Sequence, residues 1–234
     1  MLDLIAKAIT PLPGIDQLPS ADEARALLAR VHATAPDRPK AAPRQADLGI
    51  PARFADADLE AWPTASEQQA KVLAIVQRFA RNFAKARELG SNLVFRGNIG
   101  AGKTTLACAT VRAVHAAGYS ARYTRLGAHF RRMREAFSGE GKPASSIEAQ
   151  LALVDLLVLD EVGVQYGSKA ELVMLTELID ERYGAKRPTI VVSNLGSAQL
   201  TDMVGERAAD RLVEKGVDLL FDWPSFRRRG EGST

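Results

Sequence analysis

Two stretches of this 234-residue chain bring together side chains that could do chemistry on a phosphate. The first is Gly97, Asn98, Ile99, Gly100, Ala101, Gly102, Lys103, Thr104 and Thr105, which fits the spacing G-x-x-x-x-G-K-[ST]. Glycines at 97, 100 and 102 let successive backbone amides turn toward one point, and a helix opening there adds its positive end. Lys103 then supplies a point charge for the outer phosphates, and Thr104 a hydroxyl for magnesium. The second stretch is the acidic pair Asp160 and Glu161, which ends an apolar run. Asp160 can hold the magnesium through water, and Glu161 can polarise an attacking water as general base. A protein that moves phosphate onto a metabolite has less use for that second carboxylate, so the chemistry expected is hydrolysis. Asn194, at the tip of "TIVVSN", could orient the water or merely cap the following turn. No N-K-x-D motif for guanine is present, which favours ATP over GTP, and the lack of L-S-G-G-Q argues against a transporter ATPase.

Such residues need a scaffold that delivers them to one edge. "NLVF", "SARYT", "VDLLVLD", "TIVVSN" and "VDLLFDW" read as five strands rich in valine and leucine on both faces, separated by helical segments. That alternation predicts a parallel sheet covered by helices on both sides, an α/β fold. One long helix is expected from Ser66 to Gly90, with Val72, Ile75, Val76, Phe79, Phe83 and Ala86 on one face. The first 60 residues differ: eight prolines, from Pro11 to Pro63, punctuate short alanine-rich pieces there and just beyond. This reads as an arm with possible helices over residues 2–9 and 21–31, preceding an ATPase domain over 61–234. A single cysteine, Cys108, excludes an internal disulfide and a cysteine-based zinc site. No apolar run approaches the roughly 20 residues that span a bilayer, so no membrane association and a cytoplasmic location are expected. The net charge of +3 permits contact with a polyanion without arguing for it.

In the order "GNIGAGKTTL", "VDLLVLDEVGVQ", "VVSN", "VGERAADRL" and "WPSFRRR", the chain resembles the DnaC-type replicative helicase loaders of the AAA+ superfamily. The upstream "LGIPARFADADLEAW" also looks like the entry segment of that group. The resemblance implies a P-loop AAA+ core whose five strands lie in the order 5-1-4-3-2, ATP and Mg2+ as cofactors, and slow, regulatory hydrolysis. It implies that Arg211 is an arginine finger reaching a neighbouring subunit, hence self-association, and that Arg227 contacts the γ-phosphate from its own chain. It further implies a replicative hexameric DNA helicase and single-stranded DNA as partners. Arg207 and Arg211 are read on one helix running from Val204 to Val213, where Asp210 and Glu214 offer local pairing. DNA contact is expected either at Ser168 and Lys169 or along Arg122, Arg125, Arg131, Arg132 and Arg134. That stretch is interleaved with Tyr123, Phe130 and Phe137 and reads equally as an ordinary solvated face, since Phe130, Met133 and Phe137 share a helix face and are more simply core. Two other functions compete: an IstB-like transposition helper, and a nucleotide-dependent interaction module that hydrolyses little.

Overall fold

The computed structural model describes Ala26 and residues 48–139, 143–164 and 169–227. The helices expected over residues 2–9 and 21–31 (Ala26 apart), and Ser168, lie outside the described residues. Five parallel strands form the sheet: β1 (Leu93–Gly97), β2 (Ala121–Arg125), β3 (Leu156–Asp160), β4 (Thr189–Ser193) and β5 (Val217–Phe221). Their order is β2-β3-β4-β1-β5, which from the opposite edge is the 5-1-4-3-2 expected. Because β4 lies between β1 and β3, the segments leaving these three strands meet at the carboxyl edge, where open α/β sheets form their ligand crevice.

Strand burial explains the valine and leucine runs. Leu156, Leu157, Val158 and Leu159 of β3 are each fully buried, each side chain contributing about 1.5–3 kcal/mol relative to exposure. Alternate residues feed two cores. Leu93, Phe95, Leu156, Val158, Ile190 and Val192 face one layer of helices, while Val94, Leu157, Leu159 and Val191 face the other. The first layer holds α1 (Glu67–Arg81), α2 (Phe83–Leu89) and α3 (Lys103–Ala116). The second holds α4 (Leu126–Phe137), α5 (Ala144–Ala152), α6 (Lys169–Gly184), α7 (Ser197–Val204) and α8 (Glu206–Glu214).

Three local expectations are corrected. The long helix after Ser66 is two, broken at Asn82, whose backbone leaves the helical region and whose amide folds back onto the Arg78 carbonyl. Its ends match the sequence: the Ser66 hydroxyl accepts from the Gln69 amide, and Gly90 closes α2 with φ of 69°. The helix read from Val204 to Val213 starts later, at Glu206, and Val204 is the last residue of a separate helix. Gly205, at φ 84° and ψ 146°, ends α7 and starts α8, although Val204, Ala208 and Leu212 are all buried as expected. Finally, α5 and α7 had no counterpart among the expected helices, being short and weakly patterned.

Arg182 of α6, 1% exposed, joins α5 to the sheet. It donates to the carbonyls of Leu151, Val154 and Pro188 at 2.6–2.9 Å and to the Thr189 hydroxyl at 3.0 Å. Burial lowers its pKa to about 9, yet the surrounding carbonyls at the end of α5 favour a cation there. The chain from Leu48 to Trp62 packs on the same unit: Leu48, Leu59 and Trp62 are buried in the first core.

Candidate active site

The turn between β1 and α3 is shaped by Gly97, Gly100 and Gly102, at φ of 127°, 79° and 89°. Its carbonyls are tied outward. The Phe226 amide donates to Gly100, the Trp223 indole to Ala101 at 3.1 Å, and the Trp62 indole to Gly102 at 3.3 Å. Anchoring the carbonyls from behind leaves the amide side of the loop free to face an anion. The two indoles and Phe226 stack edge-to-face around Trp62, so segments far apart in sequence brace the loop together. Asn98 and Ala101 belong to this bracing, since the Asn98 amide reaches the Phe221 carbonyl and its side chain the Trp223 carbonyl.

Lys103 is 5% exposed and donates at 2.7 Å to the carbonyls of Gly97 and Asn98. Burial lowers its pKa to about 8, with Asp160 opposing the shift. The next residue, Thr104, donates its hydroxyl to Asp160 Oδ2 at 2.9 Å. A second hydroxyl, from Tyr123 of β2, donates to the same oxygen at 2.7 Å, and the Glu161 amide donates to Oδ1 at 2.8 Å. Burial, then the neighbouring Asp160, push the Tyr123 phenol upward, so it stays a neutral donor. Hydroxyl and carboxylate oxygens converging on one point are the hard donors magnesium takes, and Thr104 with Asp160 fit that ion.

Glu161 sits at φ 60°, in the left-handed region, a conformation that costs a non-glycine residue about 1–3 kcal/mol. It is held there by its own amide on Asp160 and by the Val162 amide on the Val192 carbonyl at 3.0 Å. The exposed carboxylate is thereby turned out of the sheet into the cleft. Asn194 lines the same cleft. The turn after β4 is closed by Ser193, whose hydroxyl donates to the Val162 carbonyl and accepts from the Leu195 amide. The capping role considered for Asn194 is thus filled by its neighbour.

These groups line one cleft of about 490 Å³, with Ile99, Gly100, Gly102, Lys103, Thr104, Thr105, Asp160, Glu161, Asn194 and Arg227 all contributing. Arg53 and Phe54, from the entry segment, and Phe226 complete its wall. The sequence places Arg53 and Phe54 in the entry segment, Phe226 in the terminal aromatic-arginine pair and Tyr123 among the aromatics of the basic stretch. It assigns none of them to the nucleotide cleft, because spacing alone gives no sign of which ligand an aromatic faces. Arg211 stands elsewhere. On α8 it forms an ion pair with Asp180 of α6 and lies over the Tyr183 ring at 5.3 Å. Arg207 shares the same carboxylate at 3.0 Å. Neither uses the local partners expected, Asp210 and Glu214, because α6 packs against that face of α8 and presents Asp180. Glu214 takes the Tyr183 hydroxyl instead. Of the basic stretch on β2 and α4, Arg134 is bound to buried Glu171 at 2.8 Å, and Phe130 and Met133 are core. Arg125, Arg131 and Arg132 remain exposed.

A parallel sheet in this strand order, with a P-loop after β1 and paired acids after β3, defines the AAA+ class of nucleotide-binding proteins. The chain belongs to the IstB-like ATP binding protein family, whose model matches residues 16–230. It is 33% identical over 143 residues to "Replicative helicase loader DnaC" of Escherichia coli K12, a match covering 61% of this chain and 58% of that relative. With the protein of the same name from Buchnera aphidicola subsp. Schizaphis graminum, identity is 30% over 186 residues, 79% of this chain and 74% of the relative. The crystal structure of the DnaC helicase loader superposes with a TM-score of 0.66 at 25% identity, covering 73% of this chain and 99% of that one. Replication initiator DnaA bound to AMPPCP and single-stranded DNA shares the fold, at a TM-score of 0.63 and 20% identity over 75% of this chain and 51% of that one.

Proposed function

We propose that this protein is an ATP-dependent loader of a replicative hexameric DNA helicase, hydrolysing ATP to control delivery of the helicase onto single-stranded DNA. The observation that carries this is the coincidence of a cleft that gathers the P-loop, Asp160, Glu161, Asn194 and Arg227 with relatives named replicative helicase loader. In that cleft the amides of Gly100 and residues 102–105, with Lys103, would hold the phosphates, and Thr104 and Asp160 the magnesium, which would supply charge neutralisation for the leaving diphosphate. Glu161 takes the proton of the attacking water as general base, and Asn194 orients that water. Arg227, at the cleft wall, neutralises charge on the γ-phosphate from the same chain. Arg211 acts as the finger on a neighbouring copy and must exchange Asp180 for phosphate to do so, so an isolated chain turns over slowly. Exposed Arg125, Arg131, Arg132 and Lys169 offer phosphate contacts to DNA.

Helicase binding is assigned to the arm before Leu48. The test is a pull-down of the replicative helicase from the same source, using the whole chain and a chain beginning at Leu48, which keeps the buried Leu48 and Leu59. Capture by the whole chain alone supports the proposal; no capture with or without ATP contradicts it. A second function, an IstB-like transposition helper, is compatible with membership of the IstB-like ATP binding protein family. Preference for duplex over single-stranded DNA, with filaments forming on it, would promote that alternative.

A further inference from the structure

Asp160 is held by three donors, and one of them belongs to no recognised ATPase motif. Tyr123 is 3% exposed, and its hydroxyl shares Oδ2 with Thr104 while the Glu161 amide occupies Oδ1. With a hydrogen bond on each oxygen the carboxylate cannot rotate about its terminal bond without breaking one of them. The backbone of Tyr123 is occupied as well. Its amide donates to the Leu48 carbonyl at 2.7 Å, on the edge of β2 away from β3. The approach there is close: a Cβ added to Gly49, at φ +73°, would lie 2.2 Å from the Tyr123 carbonyl oxygen. One residue thus touches both the point where the arm joins the ATPase unit and the carboxylate of the metal site.

We infer that Tyr123 is a positioning residue for magnesium: it sets Asp160 through its hydroxyl and, through its backbone, ties that setting to the arm junction at Leu48 and Gly49. This rests on the Mg-ATP function proposed above. A carboxylate fixed before the ion arrives binds it without first paying for its own ordering, and partners that orient metal ligands typically carry a ten- to hundredfold share of affinity. The Thr104 oxygen would be a magnesium ligand while its proton still reaches Asp160, so Tyr123 is the donor to Oδ2 that has no second task at the ion. The junction matters because a pull on the arm moves the Leu48 carbonyl, and with it the strand that carries the phenol.

The experiment is titration of a fluorescent ATP analogue into the full chain, in EDTA and then across a Mg2+ series, for wild type and Tyr123→Phe. The phenylalanine keeps the buried ring and deletes only the donor. The expected result is a Mg2+ midpoint raised roughly ten- to a hundredfold, with the affinity in EDTA within about twofold of wild type. An unchanged midpoint overturns the inference. So does an equal loss with and without Mg2+, which would mean a purely structural role. If wild type itself gains nothing from Mg2+, it is the Mg-ATP function that fails, a result distinct from either. The link to the arm is read by hydrogen exchange on the same two proteins. Mg2+ with the analogue should slow exchange of the Tyr123 amide in wild type and leave it unslowed in Tyr123→Phe; the same response in both proteins overturns the link.

Discussion

Replacing Arg211 by alanine separates two roles that the structure sets against each other. Arg211 and Asp180 are 20% and 14% exposed, and Arg207, at 70%, shares the carboxylate. The pair therefore lies between an exposed ion pair, worth about 0–1 kcal/mol, and a buried one, worth about 3–5 kcal/mol when broken. With Arg207 left to neutralise Asp180, Arg211→Ala should cost about 1–2 kcal/mol, or roughly 2–8 °C in Tm for a chain of this size. Asp180→Asn breaks the same pair and should cost a similar amount. The two variants part company in turnover. If Arg211 is a finger, Arg211→Ala loses at least about a hundredfold in kcat, equal to about 2.7 kcal/mol of transition-state stabilisation. Asp180→Asn frees the arginine and keeps or raises kcat. The assay is steady-state phosphate release at protein concentrations where self-association is seen by sedimentation, normalised to folded protein. Mixing Arg211→Ala with Lys103→Ala should restore activity, since each supplies what the other lacks. Equal turnover in Arg211→Ala and wild type under those conditions would refute the finger and leave Arg211 as part of the contact between α6 and α8.

Other consequences are more local. Arg182→Met strips donors from the Leu151, Val154 and Pro188 carbonyls and should cost about 3–5 kcal/mol, read as a shifted midpoint in urea unfolding with an unchanged slope. Asp155 is raised by burial but held below the usual carboxylate range overall by hydrogen bonds from Ser120 and by Arg87. A carboxylate depressed in the folded state adds stability above its unfolded pKa of 3.8 and loses it as pH falls through the lower folded value. Asp155→Asn should therefore flatten the stability profile below about pH 4, measured by unfolding across pH 2 to 6. Both tryptophans of the chain donate to loop carbonyls, at Ala101 and Gly102. Nucleotide binding should shift their emission, and Lys103→Ala should abolish the shift; unchanged emission in a sample shown to bind nucleotide by dialysis would refute the bracing role.

What could be read from sequence was contiguous or periodic. The phosphate loop is legible because the amides, the lysine and the threonine that need one another are neighbours in the chain. Asp160 and Glu161 are legible because an apolar strand must end where its acids begin. The sheet followed from strands hydrophobic on both faces. The place of Tyr123, Phe54 and Phe226 at this site was not legible, although their stretches stand out in the sequence: their side chains reach it only because β2, the entry segment and the chain after β5 are folded onto the same edge. The pairing of Arg211 was hidden for the same reason, since Asp180 lies 31 positions earlier in the chain and is brought to it by packing of α6 on α8. The break at Asn82 interrupts a helix whose buried face continues in phase across it, which is why α1 and α2 read as one. Val204 is buried in phase with Ala208 and Leu212 across Gly205, which is why it reads as part of their helix.

Helicase delivery onto a closed single-stranded DNA circle, measured by helicase-dependent unwinding of an annealed strand, tests the central claim most directly. With ATP, the whole chain should load the replicative helicase from its own source. Glu161→Gln, which keeps ATP bound but should not turn it over, should bind the helicase and fail to release it for unwinding. Equal unwinding with and without the protein, or with wild type and Glu161→Gln, would contradict a loader driven by ATP hydrolysis.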